Sequence, residues 1–508
     1  MVSGIAERGS VMTEKAKRFR CLEFFLLFTS ILLFVLFIGY LDHALPVISL
    51  GERIPILLVL PFLAGGMLLL MKYPGLKREA TCLRAFLSVP EFWKYMLLLL
   101  IFWVPRSVLW LNWPSSIESD YALYVKYSGQ YAASGSFIVI DFLVKIAPNI
   151  TVYCAVLGLV MRIFGAGIAT AQWFCMFLNA CNILLLYAAA KRLTTPARAF
   201  VAAALFALLP ENVFYSVLPG IEAISLFTIL LGLLLVFSIP DKKPAVQILL
   251  ALGGGLLLAL SACIRASAWA AVIAAAVWML LRLRLPLRKI LIVLAAFAVG
   301  LAGSWLWHRS FQNRMFPGEK PVSGIGWPLY EGLNLDGGGW TAEKAARRDE
   351  VIAAYSAEDS DRIFREEALA RFSSYSFSEK IHMFGRKGGI VWFEPGYAVF
   401  LIPDKTTSFT CSHIVTFGLF LCLALWIAGM ISRVLKPMTG TDRAACALCL
   451  IIILLTTLWH EFGTSISRYR YMMMPFVILM TAVCLPAEAG RLRLPRFLTG
   501  IFRKNTEK

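Results

Sequence analysis

Charge is scarce in this chain. Asp, Glu, Lys and Arg make up 16% of the 508 residues, against 59% hydrophobic ones, a balance that excludes an ordinary soluble domain. Histidine is scarcer still: five residues, His43, His308, His382, His413 and His460, with no spacing that suggests a zinc site. Cysteine is present, 11 in all, but most lie in apolar segments, where thiols behave as small hydrophobes, so no disulfide framework is implied. Cys446 and Cys449 have a redox spacing, yet they sit inside a hydrophobic run without the fold that motif needs, and read as packing. No cleavable leader is evident either, because the apolar run after Arg18 and Arg20 continues to Leu41 without a clear small-residue cleavage site. The glycine run at 337–339 lacks the Gly-Lys-Ser/Thr that a phosphate loop requires.

What the sequence does have is a formal charge of +18 and many long apolar runs. Nucleic acid is a poor explanation for the charge. Residues 309–407 hold 13 Lys/Arg against 14 Asp/Glu, so the surplus sits in short loops, where it orients a membrane protein. Spanning segments are expected at about 20–41, 53–71, 92–112, 168–190, 197–216, 221–238, 245–264, 266–284, 289–308, 408–433, 443–461 and 470–488.

Parity turns on the run 150–165. If it spanned, Lys191-Arg192, Lys242-Lys243, Arg282 to Arg284, Arg433 to Lys436 and Arg491 to Lys504 would all face outward, against the positive-inside bias. It is also short and contains Arg162. It is therefore assigned to a helix on the outer face, which gives twelve spans with both termini cytoplasmic. The organisation follows: a cytoplasmic tail and added hairpin (1–90), a transmembrane module (91–308) with its first outer loop (113–167), an extracytoplasmic segment (309–407), the last spans (408–488) and a basic cytoplasmic tail (489–508).

One stretch breaks the apolar pattern in an informative way. A helix carrying Arg106 leaves the membrane through Trp110 and Trp113 and at once presents Glu118 and Asp120. Tyr121, Tyr124, Tyr127 and Tyr131 follow at spacings of three and four, one stripe of a helix expected at 120–134. Such a helix would lie in the interface with its phenols at headgroup level. An ordinary outer turn with a solvated acid is the simpler alternative.

This succession resembles the first helix and first extracytoplasmic loop of GT-C glycosyltransferases: Arg106 in an outer half-helix, a Trp-rich exit, Ser119-Asp120, Tyr124, then small residues before Gly135. These are polytopic enzymes that take sugar from a polyprenyl-phosphate carrier. The resemblance runs from about 93 to 488 and is nearest the bacterial protein-mannosyltransferase-like and aminoarabinose-transferase-like branch, where a segment like Ile325 to Trp340 follows the central helices. It implies an all-α polytopic membrane protein, a GT-C-like helical module with about 12 transmembrane helices, two juxtamembrane helices at about 120–134 and 149–165 and an extracytoplasmic segment, in the plasma membrane of a bacterium. Of the acids Glu118, Asp120 and Asp141 in the first loop, only Asp120 has the context that the family's loop acid has.

Ionisable residues near lipid usually face a cavity or a partner. On this topology Arg106, Asp120, Glu222, Arg265, Glu461, Arg468 and Arg470 share the outer depth. Glu222 could simply favour a helix N-terminus, Arg265 could snorkel, and Arg468, Tyr469, Arg470 and Tyr471 could anchor an interface. The resemblance implies more. Asp120 and Glu222 would be catalytic, Asp120 as the base. Arg106, Tyr124, Arg265, Arg468, Tyr469 and Arg470 would bind the carrier lipid and its phosphate, since guanidinium groups pair with phosphate oxygens and stay charged.

The donor would be a polyprenyl-phosphate sugar, with a divalent cation an option, and the acceptor a hydroxyl on a glycan, lipid or protein. Direct displacement would invert the anomeric centre. No nucleic acid is expected as a partner. A polysaccharide polymerase or ligase using lipid-linked sugars, or a lipid-sugar flippase, are the competing classes. The first would need essential Arg or His in large outer loops, the second internal repeats and interrupted helices near mid-membrane.

Overall fold

The computed structural model describes residues 89–112, 117–137, 140–240, 242–283, 286–318, 324–336, 341–394, 404–435 and 440–484, with Leu26, Phe28–Leu33, Leu63, Gly339 and Ile402. Those residues form helices and connections, with no strand among them. The expected hairpin at 20–41 and 53–71 lies outside the described residues apart from these few positions, and the basic tail 489–508 lies wholly outside them.

The helices are α1 (Glu91–Asn112), α2 (Ser119–Ser134), α3 (Ile140–Lys145), α4 (Ile150–Phe164), α5 (Ile168–Leu193), α6 (Pro196–Leu208), α7 (Pro210–Ser216), α8 (Ile221–Phe237), α9 (Pro244–Ile264), α10 (Trp269–Arg282), α11 (Leu287–Met315), α12 (Gly326–Gly332), α13 (Ala342–Ala354), α14 (Ala357–Ser374), α15 (Phe377–Phe393), α16 (Lys405–Leu435), α17 (Gly440–Phe462) and α18 (Met474–Cys484). Six of them, α1, α5, α9, α11, α16 and α17, are long and apolar enough to cross a membrane. The chain is an integral membrane protein. Short apolar helices include α4, α8, α10 and α18, so the expected run at 221–238 is a helix of 17 residues.

Helix α1 illustrates how composition sorts the faces. Phe92, Met96, Leu100, Val104 and Val108 recur every four residues and are exposed, as on a lipid-facing stripe, while Lys94, Leu98, Phe102 and Arg106 recur in the same rhythm and are buried. Elsewhere small residues let helices approach closely, as is common in lipid. A Cβ on Gly255 of α9 would fall 2.2 Å from the Phe297 carbonyl oxygen of α11, and one on Gly300 would fall 2.1 Å from that of Leu252.

Two expectations need correction. The run 197–216 is not one continuous helix but two, α6 and α7, bent by 63°. Proline at 210 supplies no N–H to the Phe206 carbonyl, and it holds Leu209 out of helical geometry, at φ −57° and ψ 119°. The tyrosine stripe of α2 does form, but it faces protein rather than headgroups: Tyr121, Tyr124 and Tyr127 are buried. Helix α4, itself mostly buried on one side, packs against α2 and brings Tyr153 edge-on to Tyr124 at 5.5 Å. Arg162 near the end of α4 donates to the carbonyls of Tyr131 and Ala132 at 3.1 and 3.0 Å, tying α4 to the last turn of α2.

The charged stretch after Thr341 is split. Ser356 caps α14 and Ser376 caps α15 in a reciprocal box with Glu379, and the described residues between α11 and α16 form four short helices, α12 to α15.

Candidate functional site

Four residues from distant parts of the chain meet. Asp120 is at the start of α2, just after Ser119, whose φ of 59° is rare for a residue with a side chain. Strained backbone of this kind clusters at functional sites. Glu222 is in the first turn of α8, set there by the turn at Pro219 and Gly220. Arg265 ends α9, its backbone extended between that helix and a short 3-10 turn at Ala266–Ala268. Arg468 lies in a second 3-10 turn, Ser467–Met472, that leads into α18.

Arg265 Nη1 donates to Glu222 Oε1 at 2.7 Å, and Arg468 Nε lies 3.8 Å from the same oxygen. Arg468 Nη2 donates to Asp120 Oδ2. The Nε atoms of both arginines are buried and make no hydrogen bond. Asp120 is the open member: its side chain is 42% exposed, against 7% for Arg468. Two guanidinium groups and two carboxylates thus form a balanced cluster with one solvent-facing side.

Aromatic rings frame it. Arg265 lies over Tyr469 at 4.9 Å, and Arg468 lies 5.4 Å from Tyr469 and 5.8 Å from Tyr121. His460 stacks on Tyr469 at 4.3 Å and 16°, with its Nε2 buried and unpartnered. Tyr124 is buried beneath, and burial holds its phenol well above the ordinary range. Behind Glu222 a small pocket with room for about one water molecule is lined by Tyr121, Tyr215, Asn179, Gly220 and Tyr471. The hydroxyls of Tyr121 and Tyr215 are buried without partners.

Two expected site residues lie elsewhere. Arg106 is fully buried in the helical core. It donates to the Ala207 carbonyl at 2.9 Å, to Phe102 O at 3.0 Å and to Ser216 Oγ at 2.8 Å. It therefore spans the bend at Pro210, where Asn212 also donates to the Phe206 carbonyl at 2.6 Å. Arg470 is equally buried and forks onto Glu211 at 3.1 and 2.7 Å, with further bonds to the carbonyls of Val391 and Glu394. Its donors are committed to protein acceptors, and Glu211, which escaped the sequence reading, completes a pair within the fold.

Other residues unmarked by the sequence border the cluster. Lys387 of α15 is fully buried, and its ammonium donates to the carbonyls of Gly332, Gly463 and Glu461; burial holds it below the ordinary lysine range. Glu331 of α12 is pushed up to about 7 by burial and accepts from Thr464 Oγ1 at 2.8 Å. Among the described residues no three His, Cys, Asp or Glu side chains are grouped to hold a metal ion.

Fold and site together define an all-α polytopic membrane protein with a cluster of buried arginines and carboxylates around one exposed acid. No model of a known family matches the sequence, and no curated protein matches it. Among solved structures the chain is similar to the apo oligosaccharyltransferase of Archaeoglobus fulgidus, at 14% identity and a TM-score of 0.45, covering 81% of this chain and 51% of that one. It is also similar to ArnT from Cupriavidus metallidurans bound to undecaprenyl phosphate, at 13% identity and a TM-score of 0.35, covering 78% and 77%. A further similar structure is the archaeal oligosaccharyltransferase AglB from Archaeoglobus fulgidus with an inhibitory peptide and a dolichol-phosphate, at 11% identity and a TM-score of 0.32, covering 75% and 57%. The chain spans about half the length of the first.

Proposed function

We propose that this protein is a membrane glycosyltransferase of GT-C type that moves a sugar from a polyprenyl-phosphate carrier to a hydroxyl acceptor at the outer face of a bacterial plasma membrane. The observation that carries the reading is the convergence of Arg265 and Arg468 on Asp120 and Glu222. Fixed guanidinium donors, each with a buried Nε still unused, suit the phosphate of a lipid whose head can be presented only at the interface.

In this mechanism the acceptor oxygen attacks the anomeric carbon as the bond from that carbon to the phosphate oxygen breaks, with inversion. Asp120 takes the acceptor's proton, and Arg265 and Arg468 neutralise the charge growing on the departing phosphate. Glu222, held by Arg265, orients the sugar or the acceptor. The Arg468–Asp120 pair couples two events. An arriving phosphate competes with Asp120 for the Arg468 donors, so carrier binding and release of the carboxylate from its partner go together.

The positive-inside distribution supports cytoplasmic termini and an outer site, with 309–407 on the same side as the site. Loss of the gene product tests the reading directly. Mass spectrometry of cells lacking it should find the sugar-loaded carrier accumulating and a glycosylated product missing, and an unchanged profile of both would overturn the proposal.

A further inference from the structure

The segment between α11 and α16 packs against the site in two places: on the 3-10 turn itself, where Arg470 donates to the carbonyls of Val391 and Glu394, and on the short loop that leads into it. That loop, Gly463 to Ile466, joins the end of α17 to the 3-10 turn that carries Arg468 and Tyr469. Three contacts hold it from the other side. Lys387 Nζ, on α15, donates at 2.8 Å to Gly463 O and at 2.8 Å to Gly332 O, and also to Glu461 O. Glu331 on α12 accepts the Thr464 hydroxyl at 2.8 Å. Gly332 lies so close that a Cβ there would fall 2.3 Å from the Gly463 carbonyl oxygen. Within the loop, Ser465 Oγ donates to His460 O at 2.7 Å, tying it to the residue that stacks on Tyr469.

We propose that Lys387, Glu331 and Gly332 form a clamp that fixes the 463–466 loop and thereby sets the position of Arg468, making Lys387 and Glu331 positioning residues for phosphate binding. One ammonium buried completely and spent on three carbonyls from two elements is a costly device, and its location explains the cost. An arginine that must meet both a carboxylate and an incoming phosphate loses its advantage if its backbone drifts by an ångström. Helix α12, within the run Ile325 to Trp340, acquires a role here: it supplies Glu331 and Gly332. This inference rests on the reading of Arg468 as a phosphate ligand.

The test is a double-mutant cycle in full-length protein in nanodiscs, with undecaprenyl phosphate as the probe. Lys387→Met should weaken binding by at least about fivefold, and the same change should have no further effect in an Arg468→Ala background. Equal losses in both backgrounds, or none in either, would overturn the clamp. Thr464→Val, which deletes only the hydroxyl bonded to Glu331, serves if Lys387→Met does not fold, and should follow the same pattern. If Arg468→Ala itself leaves binding unchanged, the phosphate reading fails, and hydrogen exchange of residues 461–470 then decides the clamp alone. Faster exchange in the Lys387→Met or Thr464→Val variant supports it, and unchanged exchange removes it.

Discussion

Arg468 and Asp120 are 348 positions apart in the chain, yet the guanidinium of one donates directly to the carboxylate of the other. The pair joins the first loop after α1 to the turn before the last described helix, so nearly the whole module must fold before it can form. Its two members are unequally exposed, with Arg468 walled in and Asp120 open. That asymmetry suits a fixed cation beside an acid that must reach an acceptor.

Replacing Asp120 by Asn tests the base. The amide keeps the shape and can still accept from Arg468, but it cannot take a proton. Transfer should fall by roughly 10²- to 10⁴-fold, while protein yield and carrier binding stay near wild type. Transfer rates in membranes combined with binding of undecaprenyl phosphate measure both, and near-normal turnover would remove Asp120 from the chemistry.

Arg468→Lys separates charge from geometry. Lysine keeps the positive charge but loses the planar fork and the unused Nε. Losing one charge-assisted hydrogen bond costs about 1.5–3 kcal/mol, so carrier affinity should drop by about ten- to a hundredfold, and Arg468→Ala should do at least as much harm. Calorimetry with undecaprenyl phosphate reads the difference; equal affinities for wild type and both variants would refute the phosphate assignment.

Arg470 should behave in the opposite way. It is fully buried, and every nitrogen is bonded to Glu211 or a carbonyl. Arg470→Ala strands Glu211 and should cost about 3–5 kcal/mol of stability, seen as a large drop in Tm. The double change Arg470→Met with Glu211→Leu, which removes both charges, should recover most of that loss. A large catalytic defect in a double variant of normal stability would return Arg470 to the site.

These two arginines mark the limit of what the sequence could say. Ionisable residues in an apolar chain must face something other than lipid, and that reasoning brought Asp120, Glu222, Arg265 and Arg468 to one depth, where the structure has them in contact. The same reasoning brought in Arg106 and Arg470, whose donors the structure turns toward carbonyls, Ser216 and Glu211; in sequence such an arginine leaves the same trace as one that faces a lipid head. The tyrosine stripe was legible as a stripe, but periodicity does not say which way a stripe turns. The bend at Pro210 was written in the residues, since the position before a proline leaves the helical region, but hydropathy alone runs across it. Lys387 carried no signal, being one basic residue in a charge-laced segment.

Gly220→Ala probes the fit of Glu222. A Cβ at this position would fall 2.5 Å from Glu222 Oε2 and 3.2 Å from Tyr121 Cε1, so the carboxylate must swing away and loosen its bond to Arg265. Turnover should fall with little change in folding yield, and Gly220→Ser should be no better. Activity retained in Gly220→Ala would mean that the placement of Glu222 is not critical to the reaction.

The buried carboxyl of Glu331 makes a prediction in pH. Burial raises it from the ordinary 4.5 to about 7, against the opposing influence of Lys344 and Arg348 on α13 and of the Thr464 hydroxyl, and with Asp120 adding to the rise. The folded state therefore holds this proton more tightly than the unfolded chain does. The stability it contributes is fully present below about 4.5 and is lost as pH rises through about 7, on the order of 3 kcal/mol over that window. Glu331→Gln stays neutral at every pH and keeps an acceptor for Thr464, so it should lack this decline. Melting temperatures of wild type and variant, measured from pH 5 to pH 8 in the same detergent, should diverge as pH rises, with the variant becoming the more stable of the two. Parallel curves would mean that Glu331 ionises in the folded protein as it does in water, and that burial does not govern it.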